Sequence, residues 1–70
     1  MKPRFPEYSW NTLMAIVFVL QQEGIVFERR MTCWRAIGPQ IYQHGFDPRE
    51  EGAEIVALGE CVAEIWREAK

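Results

Sequence analysis

The chain has 70 residues, 49% apolar and 26% charged, a mix that belongs to a folded globular domain rather than a disordered segment. Its length allows one domain at most. Eight Lys and Arg against ten Asp and Glu give a net charge of −2, which speaks against general nucleic-acid or anionic-membrane binding. Few chains this short can enclose a reaction centre. Small domains gain little from a single core and lean on disulfides, metals or a second copy.

Residues 1–8 (MKPRFPEY) contain Pro3 and Pro6, which lack an amide donor, so an extended N-terminal arm is expected there. Phe5 and Tyr8 could dock this arm on another surface. The segment has no apolar core of the kind that marks a secretory signal. Reduced thiols at Cys33 and Cys61 and a cytoplasmic location are therefore expected. Residues 9–70 read as a single helical domain.

Ser9 is a helix-capping residue, and Gly24 suits the position just beyond a helix end, which predicts a helix over 9–23. Its centre, Leu13–Leu20, is eight apolar residues in a row, far short of the ~20 needed to cross a membrane. A helix apolar on every side needs covering on every side, which points to a homodimer. A rival reading makes an α+β chain with a hairpin at 12–31, since Ile16, Val17, Val19, Ile25 and Val26 are β-branched and QQEG could be its loop.

Phe27, Met31, Trp34 and Ile37 follow steps of four, three and three, which predicts a second helix over 25–37. Gly38-Pro39 ends it, and Pro39 suits a short helical turn over 39–44, stopped by Gly45. Asp47, Pro48 and Glu50 form a capping-box pattern that opens a third helix over 48–69. Along it Ile55, Leu58, Val62, Ile65 and Ala69 keep a 3-4-3-4 rhythm. The fold class expected is thus all-α, a bundle of three main helices. Leu13, Ile16, Val17, Leu20, Ile55, Leu58, Val62 and Ile65 are its core and dimer residues.

Cys33, His44 and Cys61 show no metal-ligand spacing, so neither a metal nor another cofactor is expected. No third group orients a Cys–His pair for catalysis, and no glycine-rich loop resembles a phosphate cradle. The expectation is a non-enzyme.

Charge is uneven along the chain. Residues 1–45 carry five basic against three acidic side chains, and residues 46–70 carry three against seven. On the last helix Glu50, Glu54, Glu64 and Glu68 lie near one line and could answer a basic surface on a partner protein. A solvated face is the plainer account. The reading favoured is a small non-catalytic accessory, adaptor or inhibitor-type protein of the sort common in bacteria and mobile elements. It would bind another protein through the acidic row and the arm residues Phe5 and Tyr8. One alternative is a small DNA-binding regulator using Arg29, Arg30 and Arg35, although no helix-turn-helix is recognisable. Another is a binder of a small apolar ligand lined by Trp10, Trp34 and Trp66, residues that otherwise fill a core.

Overall fold

The computed structural model describes residues 9–68. The arm at 1–8, with Phe5 and Tyr8, lies outside the described residues, as do residues 69–70. Ser9 caps the first helix, α1 (Trp10–Gln22), its hydroxyl accepting from the Thr12 N–H at 3.2 Å. The end is a glycine stop: Gly24 has φ +100°, its N–H bonds the Gln21 carbonyl, and Ile25 N–H bonds that of Leu20.

After α1 the chain forms three strands, β1 (Val26–Arg30), β2 (Cys33–Ile37) and β3 (Ile41–Gly45), in a single antiparallel sheet of order β1-β2-β3. The second long helix, α2 (Ala53–Glu68), follows. The fold is therefore α+β, with two helices and a three-stranded sheet, and not an all-α bundle of three helices. Neither the helix expected over 25–37 nor the helical turn over 39–44 forms; both are strand. The hairpin alternative at 12–31 does not form either, because 10–22 is helical and the first hairpin spans 26–37.

The physical reason lies in the periodicity. Phe27, Met31, Trp34 and Ile37 fit a helical stripe by count, yet the four do not share one face. Alternation along paired strands puts Phe27 and Arg29, Trp34 and Ala36, and Tyr42 and His44 on the side toward α2. Ile37 points to the other side. Met31 sits in the two-residue loop between Arg30 and Cys33 with φ +50° and is 88% exposed. Tight hairpin loops usually announce themselves with Asn-Gly or Asp-Gly. Met31-Thr32 carries no such signal, so two strands read as one continuous segment.

The loop before β3, Gly38-Pro39-Gln40, does match its residues. Gly38 N–H bonds the Gln40 carbonyl at 3.0 Å. A Cβ at Gly38 would come within 2.6 Å of Ile25 Cδ1.

The start of the last helix is also displaced. Asp47 caps a turn instead of a helix: its Oδ1 accepts from Arg49 N–H, and its carbonyl accepts from Glu50 N–H. Gly52, at φ +82°, then lies in a turn closed by the Ala53 N–H on the Glu50 carbonyl, just before α2 opens. Its left-handed backbone interrupts any helix drawn from Pro48.

α2 lies across β2 and β3, and α1 packs beside it against β1. Leu13, Val17, Leu20, Ala36, Leu58, Cys61, Val62 and Ile65 are the buried cluster, with Ile16 and Ile55 packed on it. All eight residues expected to serve core and dimer are thus used within one chain. On the other side of the sheet Val26 and Ile41 are exposed, and no described helix packs there. Among the described residues no helix is long and apolar enough to cross a membrane.

Candidate protein-binding site

The polar chemistry of the domain gathers where the first turn of α2 meets the sheet. Glu54, the second residue of α2, faces the inner side of β1 and β2. Arg29 holds it with two contacts, Nε to Oε2 at 2.6 Å and Nη2 to Oε1 at 3.4 Å. The Trp34 indole N–H donates to the same Oε2 at 3.0 Å. Arg29 also stacks over the Phe46 ring, 5.3 Å from its centre. The Arg29 hydrogen bond holds the Glu54 carboxyl below its usual range. Partial burial opposes that shift, and the Trp34 bond supports it.

A second contact ties β3 to α2, where His44 Nε2 meets the Glu64 carboxylate. Beside it Cys61 is fully buried, with its thiol toward the Trp34 and Tyr42 carbonyls at 3.5 and 3.9 Å. Burial, with Glu64 nearby, pushes that thiol up to about 12. Cys61 stays protonated at neutral pH, the reverse of an activated nucleophile. Cys33 and Cys61 are unbridged, and strand alternation turns Cys33 to the sheet side away from α2. Among the described residues no three His, Cys, Asp or Glu side chains converge in the manner of a metal site.

The acidic row expected on the last helix is broken up. Glu54 and Glu64 are engaged by Arg29 and His44. Glu50 lies on the turn before α2, and Glu68 is the last residue of the helix, exposed. Around Glu50 a different arrangement forms. An open cleft of about 430 Å³ lies between the turn after β3 and the first half of α2, with Ala53, Val56 and Ala57 lining it among the carboxylates of Asp47, Glu50 and Glu60. Arg49, the nearby cation on the turn, is held by Asp47 through Nε at 3.1 Å and Nη2 at 3.2 Å. Those contacts and the Arg49 N–H keep the Asp47 carboxyl below its usual range.

Asp47, Val56 and Glu60 were not among the expected site residues. Val56 and Glu60, four residues apart, share a side of α2 in any helical reading, and the structure adds Asp47 from the turn before α2. A sequence signal for the displaced start was present in Gly52.

The three arginines of the DNA-binding alternative do not share a surface. Arg29 is on the inner side with Glu54, while Arg30 and Arg35 are on the outer side, each within 4.0 Å of Glu28. The three tryptophans do not share a pocket either. Trp10 lines a second groove of about 280 Å³ with Arg29, Phe46 and Ile55. Trp34 is packed against the core with its N–H on Glu54, and Trp66 is 51% exposed on α2. Comparison with protein-family models, curated proteins and solved structures returned no match.

Proposed function

We propose that the protein is a non-catalytic binding module that takes a basic side chain of another protein into the cleft beside Glu50. The observation that carries this reading is the composition of the cleft. Ala53 and Val56, over the buried Ala57, offer apolar surface to an aliphatic stem, while Glu50 and Glu60 line the same cleft for a cationic head. Lys and Arg need this combination, because they bury their methylenes and keep the charge at a polar edge. The nearby Arg49 is neutralised by Asp47, so it offers little competition for the carboxylates. Such a surface would steer a basic partner at low salt and weaken as the Debye length shortens.

The test is titration of the ¹⁵N-labelled protein with a short peptide rich in Lys and Arg. Shifts should cluster at Ala53, Val56, Ala57 and Glu60 and shrink between low and high salt. They should vanish in a Glu50→Lys, Glu60→Lys double variant. Shifts spread evenly over the surface, or unchanged by the charge reversal, would refute the reading. No comparable geometric observation favours the DNA-binding or apolar-ligand alternatives.

A further inference from the structure

The outward side of α1 is apolar where a solvated helix normally carries charge. Trp10, Met14, Phe18 and Val19 are 42%, 44%, 60% and 50% exposed, although Leu13, Val17 and Leu20 on the inner side are buried. At 100° per residue Met14, Ala15, Phe18 and Val19 form one contiguous patch, and Trp10 extends it by a turn. No residue of Trp10–Gln22 is charged. Neutral Asn11 and Gln22 close the two ends.

We propose that this face is a homodimer interface, in which two copies of α1 pack antiparallel across a two-fold axis with Phe18 of each copy over Ala15 of the other. A patch without charge meets its own copy without like-charge repulsion, whereas a charged partner finds nothing there to pair with. Two-fold symmetry needs a self-complementary surface, and a large ring beside a small methyl one turn away supplies a knob and a hole. Antiparallel packing also sets the helix dipoles in their favourable order.

The area is adequate. An aromatic side chain offers about 200 Å², so the exposed fractions amount to roughly 350–400 Å² of apolar surface per copy. Two copies with their polar rims approach the ~1,200 Å² at the low end of stable interfaces. Another exposed apolar pair, Val26 and Ile41 on the side of the sheet away from α2, is 52% and 58% exposed. It adjoins Glu28 and Arg35 and is the poorer self-match. Trp10 and Glu50 border the same groove, but Ala15 and Phe18 at the centre of the proposed interface do not line the acidic cleft, so substitutions there test the interface apart from it.

Light scattering after size exclusion on the full chain should give twice 8.2 kDa at micromolar concentration. Phe18→Glu and Ala15→Lys should each weaken association at least tenfold with unchanged far-UV circular dichroism, and Phe18→Gln should weaken it less. Mixing the Glu and Lys variants should restore a dimer, because the new charges face each other. A wild-type chain that stays monomeric, as it would if residues 1–8 of the same chain covered the patch, overturns the proposal. So does a dimer indifferent to all three substitutions, or a mixture that fails to reassociate.

Discussion

The guanidinium of Arg29 and the carboxylate of Glu54, 25 residues apart, meet through Nε–Oε2 at 2.6 Å and Nη2–Oε1 at 3.4 Å. This contact joins β1 to the first turn of α2 at a point where Trp34 from β2 donates to the same oxygen. β1 and β2 are paired in the sheet, and α2 is held on them mainly by apolar packing, which by itself does not choose one rotation of the helix over the sheet. Directed hydrogen bonds to a charged group do.

Removing that group should therefore loosen the start of α2. Glu54→Ala is expected to cost about 1–2 kcal/mol, the range of a hydrogen-bonded charge discounted for partial exposure. Thermal unfolding followed at 222 nm should show the midpoint falling by several degrees, since a domain this small loses about 4–8 °C per kcal/mol. Trp34→Phe keeps the ring and loses the donor, so its drop should be smaller.

The same pair gives the domain an acid-sensitive component. Because the Glu54 carboxyl is held below its usual value of 4.5 in the folded chain, folding favours its ionised form. That stabilisation is complete above about pH 4.5 and disappears as pH falls through the lowered folded value. Urea unfolding of wild type and Glu54→Gln should thus differ most near pH 7 and converge toward pH 3. A gap of constant size across that range would show that ionic pairing is not its source.

Thiol chemistry should separate the two cysteines. With its pKa near 12 and no exposure, Cys61 should resist iodoacetamide at pH 8 until the protein unfolds. Cys33, partly exposed, should be alkylated first, as peptide mass spectrometry after timed quenching would reveal. Cys61→Ser places a more polar group at a fully buried position, with the Trp34 carbonyl as an available acceptor, and should cost no more than about 1–3 kcal/mol.

The first hairpin carries a correctable strain. Met31 holds φ +50° with its side chain in solvent, a backbone region that costs a non-glycine residue about 1 kcal/mol. Met31→Gly should therefore be neutral to stabilising, by up to about 1 kcal/mol in chemical denaturation. By contrast Leu58→Ala, at a fully buried position, should lose about 2–5 kcal/mol.

Sequence alone determined the elements whose signals are local. Ser9 and Gly24 bound α1 because a hydroxyl cap and a left-handed glycine act within four residues of themselves. The rhythm of Ile55, Leu58, Val62 and Ile65 marked the buried side of α2, since that side is written in its own 3.6-residue period. Gly38-Pro39 marked an element end for the same local reason, though the elements on either side are strands and not helices. Tertiary structure decided the rest. The segment 25–37 satisfies a helical count, and only pairing of Phe27 with Ala36 and of Ala36 with Tyr42 turns it into strands. That pairing gains its stability from hydrogen bonds between strands and from the cover α2 provides, neither of which belongs to the segment itself. Likewise Arg29 and Glu54 meet, and Glu50 and Glu60 come to line one cleft, only once the sheet and the turn before α2 have set where that helix lies.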